Sequence, residues 1–332
     1  MSLERSDRPL CEVYDLAMLD LDGVVYIGAD AVPEAPAHVE RARSAGMRVA
    51  FITNNALRPP GAVAEHLRSL GIGAQADDVV TSAQAASRLL ADRLDEGAPV
   101  AVLGGEGLLE AVAAAGLAPV GVTENADALV TGYGPDVRWR DIMRAAVRVR
   151  EGLWWVATNS DLTIPTAFGV APGHGVLVET VQRFSGVDAV VAGKPSRPLL
   201  DETVRRVGGD RPLMVGDRLD TDIEGAVNAG IDSLLVLTGV TGLDELVAAS
   251  PAERPTYLSA DLAGLWSPHP EVEVVGDTAS AGGWTAACTD GRLRLEGVGD
   301  ADDWWRVVAA AAWAYADRTG QHVATDGVEP PR

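Results

Sequence analysis

The chain has 332 residues, 47% of them hydrophobic and 23% charged, and its formal charge is 27 − 48 = −21. The composition is globular, and the length exceeds one core of ordinary size, so two or three domains are expected. So acidic a surface repels nucleic acid and anionic membranes, and neither is expected as a partner.

The same charge would repel a phosphorylated ligand. A phosphate site here needs local positive potential from a metal ion, a lysine and backbone N–H groups. Cys11 and Cys288 are the only cysteines and form no CxxC pair, which argues against a disulfide framework or a cysteine-rich zinc site. Residues 1–9 are polar and lack an apolar signal core. The longest clean apolar stretch, 307–316, is too short to span a bilayer. A cytoplasmic protein is the expectation.

In chain order, short apolar runs at 16–19, 48–52, 100–103, 128–131, 153–157, 189–191, 213–215 and 233–237 read as strands. Amphipathic stretches at 62–70, 84–94, 107–115, 139–150, 198–207 and 222–229 read as helices between them. Strand–helix alternation with near-continuous apolar strands predicts parallel sheets covered on both faces. Beyond residue 258 the texture changes. Ser267-Pro268-His269-Pro270 reads as a linker, followed by strand-like runs at 272–275, 284–288 and 293–295. A helix over 302–318, with Asp302 as N-cap, closes the chain.

Four segments carry chemistry, each at the end of a separate predicted strand. Asp20-Leu21-Asp22-Gly23-Val24 places two carboxylates two residues apart, on one side of an extended chain. Thr53-Asn54-Asn55 offers a hydroxyl and backbone donors, and Gly193-Lys194-Pro195 a single cation. Gly216-Asp217-Arg218-Leu219-Asp220-Thr221-Asp222 holds three acids in six residues. Each has a bland reading alone: an acidic turn, a polar turn, a solvated lysine, an exposed helix start capped by Asp222. Together they supply a nucleophile, carboxylates for a hard cation, and charge neutralisation for phosphoryl transfer.

As a set, these motifs resemble the haloacid dehalogenase superfamily of phosphatases, and within it the NagD-like group of p-nitrophenylphosphatases, phosphoglycolate, pyridoxal and glycerol-phosphate phosphatases. Ala157-Thr158-Asn159-Ser160-Asp161, Pro172-Gly173-His174-Gly175 and Leu237-Thr238-Gly239-Val240-Thr241 sharpen the match, which runs from about residue 16 to 257. The resemblance implies a Rossmann-like α/β core with a parallel sheet (1–81 and 187–262), an inserted α/β cap (82–186) and a small C-terminal α+β extension (268–332). The cap falls between the second and third motifs, as in NagD-like relatives and unlike phosphomutases or dehalogenases.

By that resemblance Asp20 is the nucleophile and Asp22 the acid–base. Mg²⁺ is held by Asp20, Asp217 and the Asp22 backbone carbonyl, with Asp222 behind them orienting Lys194 or metal-bound water. Thr53, the amides of Asn54 and Asn55, and Lys194 bind phosphate; Asn159 and Asp161 of the cap face the substrate. Ile164 stands where a pyridoxal phosphatase favours an imidazole. The expected substrate is therefore a small phosphorylated metabolite, glycerol 3-phosphate first, then phosphoglycolate, or a sugar or nucleotide monophosphate. A non-catalytic phosphometabolite-binding regulator is the alternative class.

Other features are set aside. Gly104-Gly105-Glu106-Gly107 lacks the spacing of a dinucleotide loop. His174 reads as a cap loop residue; His38, His66, His269 and His322 read as surface or structural. Trp154-Trp155 and Trp304-Trp305 read as a buried strand pair and a helix face. Arg138, Arg140, Arg144, Arg148 and Arg150 form either a solvated face or a cap-to-cap homodimer contact. The tail resembles a remnant of an acetyltransferase-like fold without its glycine loop, and no second activity is expected of it.

Overall fold

A computed structural model describes residues 3–166 and 168–331. It is a mixed α/β protein in two compact units: Met1–Val49 with Leu70–Ile72 and Gly208–Arg332, and Ala50–Ser69 with Gly73–Val207.

In the first unit, parallel strands lie in the order Tyr257–Ser259, Asp232–Val236, Pro212–Gly216, Leu16–Asp20. Their apolar runs are nearly continuous because both faces are covered. Leu19 pairs with Val215, so Asp20 and Asp217 emerge at the same carboxyl end of neighbouring strands.

The C-terminal segment packs as part of this unit. Four antiparallel strands, Glu273–Val275, Thr278–Ala281, Trp284–Thr289 and Arg292–Gly297, lie against the helix Ala301–Thr319. One apolar cluster joins Trp304, Trp305, Val308 and Trp313 of that helix to Ile223, Leu235, Leu246 and Leu258. Polar ties reinforce it: buried Arg254 donates two 2.7 Å bonds to Asp317, and Trp313 Nε1 donates to the Leu246 carbonyl at 2.8 Å.

Two sequence expectations change here. Thr278–Ala281 is a strand whose small residues carry no apolar signal. Asp300, rather than Asp302, caps the last helix through the Asp302 amide. Asp302 instead accepts from Ser259 Oγ (2.9 Å) and the Ala260 amide (2.7 Å).

The predicted linker is also tied down. Ser6 and His269 exchange backbone hydrogen bonds of 2.8 Å, and the His269 ring is buried.

The second unit carries a five-stranded parallel sheet in the order Val190–Val191, Trp154–Ala157, Ala128–Thr131, Pro99–Leu103, Ala118–Val120. Helices Trp139–Arg150 and His174–Ser185 bury Ala145, Val149, Val178 and Val181 against Leu129 and Trp155. Strand Arg48–Thr53 brings Phe51, Ile52 and Thr53 into this unit, paired in parallel with Val79–Thr81. Among the described residues no helix is long and apolar enough to cross a membrane.

Burial, with Arg306 adding to it, pushes His269 down to about 4. The ring is held neutral: Nε2 donates to the Gly264 carbonyl at 2.8 Å, and Arg306 donates to Nδ1 at 3.2 Å. The unfolded chain takes this proton near the ordinary histidine value, whereas the folded chain resists it until about 4. Stability from this site is therefore complete above that window and is lost as pH falls through it. In urea unfolding, the stability advantage of wild type over His269→Gln should shrink by on the order of 3 kcal/mol between pH 7 and 4. A gap constant with pH would contradict the neutral, buried ring.

Candidate active site

Asp20 is the last residue of its strand and is 9% exposed; Asp217 and Asp222 are fully buried. Carboxylate oxygens of the three lie within 4.8 Å of one another. Three buried carboxylates this close repel strongly and lose hydration, which makes a bound cation the natural compensation. An all-oxygen set of this kind suits a hard divalent ion rather than zinc or copper.

Backbone groups aim the set. Asp217 Oδ2 accepts from the Val240 amide at 2.6 Å, and the Asp217 carbonyl accepts from Thr241 Oγ1 at 2.6 Å. Asp222 lies in the π-helical turn Leu219–Ile223, and its Oδ2 accepts from the amides of Asp217 (3.2 Å) and Arg218 (3.1 Å). It thus braces the Asp217 backbone instead of capping a helix.

Glycines make room. A Cβ on Gly23 or Gly239 would lie 2.3 or 2.0 Å from Asp217 Oδ2, and one on Gly216 would lie 2.2 Å from the Asp222 Cβ. Gly23 also takes a left-handed turn at φ 84°, and its carbonyl accepts from Thr238 Oγ1. Asp22 is exposed at this turn, and its carboxylate is not one of the clustered three. Asp220 is exposed and paired with Arg218 at 2.7 Å.

The remaining sequence-predicted residues gather in the second unit. Thr53 ends its strand, and its Oγ1 accepts from the Asn55 amide at 3.1 Å. The exposed Asn55 side chain accepts from the Leu57 amide, shaping the turn. Lys194 is 2% exposed, and its amide donates to Asn54 Oδ1 at 2.8 Å. Asn159 Nδ2 donates to the Asn54 carbonyl at 2.7 Å, and Asn54 Nδ2 donates to Asp161 Oδ1 at 3.0 Å.

Ser82, which the sequence did not single out, donates to the same Asn54 carbonyl at 2.6 Å. Nothing in the local pattern distinguishes it from an ordinary first-turn serine.

His174 is the first residue of its helix rather than a loop residue. Burial pushes it down to about 4, and it meets Thr131 Oγ1 at 3.2 Å. It is held neutral and enclosed at ordinary pH. The glycines beside it matter more: a Cβ on Gly173 or Gly175 would lie 2.3 Å from the Asp161 carbonyl oxygen or 2.2 Å from that of Ser160. A groove of about 540 Å³ runs along helix Trp139–Arg150 and is lined by none of the motif residues.

A carboxylate cluster at parallel strand ends, with an inserted strand–helix unit, defines a hydrolase of the haloacid dehalogenase type. Two family models match the chain, one described as haloacid dehalogenase-like hydrolase over residues 17–118 and one as HAD-hydrolase-like over 191–265. The chain belongs to the haloacid dehalogenase-like hydrolases.

It is 41% identical over 316 residues to a D-glycerol 3-phosphate phosphatase of Mycobacterium tuberculosis, covering 92% of this chain and 88% of that one. A crystal structure of glycerol phosphate phosphatase from that organism, in complex with magnesium, superposes with a TM-score of 0.82 at 40% identity, covering 92% of each chain. A 5'-nucleotidase of Bacillus subtilis is 35% identical, covering 78% of this chain and 99% of its own. A p-nitrophenyl phosphatase from Archaeoglobus fulgidus superposes with a TM-score of 0.70 at 29% identity, covering 76% and 98%.

Gly239 has no chemistry of its own, which gives a clean test of the cluster. Gly239→Ala should displace the Asp217 carboxylate and weaken divalent-cation binding by about 100-fold in calorimetry while the chain remains folded. Unchanged cation affinity would show that Asp217 is not a ligand.

Proposed function

We propose that this chain is a magnesium-dependent phosphomonoesterase that hydrolyses glycerol 3-phosphate through a phospho-aspartate on Asp20. The observation that carries this reading is the convergence of Asp20 with Asp217 and Asp222 at neighbouring strand ends. The 41% identity to a D-glycerol 3-phosphate phosphatase supports the substrate.

The donor set fits Mg²⁺, with the Asp20 and Asp217 carboxylates and the Asp22 backbone carbonyl holding it and Asp222 bracing them. When bound, the ion neutralises phosphate charge and offsets the repulsion among the acids.

An Asp20 oxygen attacks phosphorus, and the bond from phosphorus to the ester oxygen breaks. Asp22 gives its proton to the departing alkoxide, then takes one from the water that attacks the phospho-aspartate. Its exposure suits both exchanges. Inorganic phosphate leaves and Asp20 is restored. Thr53, the amides of Asn54 and Asn55, and Lys194 hold the phosphoryl oxygens and spread their charge.

In this reading residues 1–81 and 187–262 form the catalytic core and 82–186 the cap, whose Asn159 and Asp161 meet the substrate. Residues 268–332 form a C-terminal α+β extension. Phosphoglycolate, sugar phosphates and nucleotide monophosphates are the competing substrates, in keeping with the nucleotidase relative. A cytoplasmic location goes with the reading, in keeping with two free cysteines. So does a homodimer through helix Trp139–Arg150, whose Trp139, Met143 and Val147 form an exposed stripe beside its arginines; sedimentation of the purified chain checks it.

Phosphate release from a panel of esters at equal concentration, with Mg²⁺, should rank glycerol 3-phosphate first. Asp20→Asn should abolish turnover and the acid-stable labelled phosphoenzyme while remaining folded. A strong nucleotide preference would overturn the substrate. Turnover by Asp20→Asn would overturn the mechanism.

A further inference from the structure

Phosphate-binding segments are usually described by their backbone donors and hydroxyls, and on that view the Asn54 side chain has no assignment. In the second unit it takes part in three side-chain hydrogen bonds. Its Nδ2 donates to Asp161 Oδ1 (3.0 Å) and to the Lys194 carbonyl (2.9 Å), and its Oδ1 accepts from the Lys194 amide (2.8 Å). Both N–H groups and the oxygen of one carboxamide are therefore engaged. Its backbone carbonyl accepts from Asn159 Nδ2 and Ser82 Oγ.

Two motif segments far from it in sequence, 158–161 and 193–195, are thus tied to Asn54. Gly193 permits the approach: a Cβ there would lie 2.6 Å from Asn54 Oδ1 and 2.6 Å from the Thr158 carbonyl oxygen.

We infer that Asn54 is a positioning residue whose carboxamide sets the backbone of Lys194 and the carboxylate of Asp161 together, joining the charge-neutralising lysine to the substrate-facing cap loop. Two hydrogen bonds, one given and one taken, clamp the peptide groups on either side of the Lys194 Cα. That fixes the direction in which a long, buried side chain departs. Asp161 is held by the third. The position requires a carboxamide: a carboxylate accepts from the Lys194 amide but cannot donate, and it faces both the Lys194 carbonyl and the Asp161 carboxylate. Placement of Lys194 and placement of Asp161 are therefore coupled, and a change to one alters the other.

This inference rests on the phosphatase reading for its kinetic readout but has a second readout independent of it. With p-nitrophenyl phosphate and Mg²⁺, Asn54→Asp should lower kcat/KM by about 100-fold while remaining folded, because the bonds to the residue 54 carbonyl remain. Adding Asp161→Asn returns a donor across the broken pair and should recover about tenfold, so the two substitutions are strongly non-additive. Asn54→Asp within threefold of wild type, or a loss that Asp161→Asn does not relieve, overturns the proposal.

Hydrogen exchange of the Lys194 amide in the unmodified chain supplies the second readout. It should be protected although it lies outside any helix or strand; rapid exchange overturns the clamp whatever the variants do. Absence of all phosphomonoesterase activity with a protected Lys194 amide would instead sink the phosphatase reading and leave the clamp standing.

Discussion

Electrostatic repulsion among Asp20, Asp217 and Asp222 is the constraint around which the first unit is built. Parallel pairing puts the ends of neighbouring strands side by side, so acids placed there converge without any special fold. Burial then raises the cost, because each carboxylate loses most of its water. The chain offsets part of that cost with backbone donors: the Val240 amide for Asp217, and the amides of Asp217 and Arg218 for Asp222. What remains is a strongly negative pocket matched to a hard cation. With such a cation in place, the pocket would attract a phosphate that the acidic surface otherwise repels.

How the strands came to be readable follows from the same geometry. Runs such as 16–19, 128–131 and 213–215 are continuous because both faces of a parallel sheet are buried, and the structure places strands on them. Motif acids at strand ends were legible for that reason. Features decided by distant partners were not. Sequence alone points to Asp302 as the cap of the final helix; Ser259 and Ala260, about 40 residues earlier, engage Asp302 instead and leave the cap to Asp300. Two prolines around His269 suggest a linker, yet bonds to Ser6 and Gly264 make it an anchored crossing.

Within the site, Gly239 was named in sequence only as part of a motif and Asn54 only for its backbone amide. Gly239 matters only because Asp217 occupies the space where its Cβ would stand. Asn54 reads locally as a turn residue, and its role comes from Lys194 and Asp161, each more than 100 positions away. Asp222 was expected to orient Lys194 or water; what the structure displays is its Oδ2 bracing the backbone that carries Asp217. The C-terminal extension shares an apolar cluster with strands of the first unit, so its docking contributes to the stability of the unit that holds the acids.

The central claim is that the Asp20 and Asp217 carboxylates share one divalent ion. A crystal structure of the protein grown with Mg²⁺ tests it most directly. The account predicts a single octahedral ion with oxygens of Asp20 and Asp217 each at about 2.1 Å. An ion bound elsewhere, or these two carboxylates turned apart with no ion between them, would contradict it.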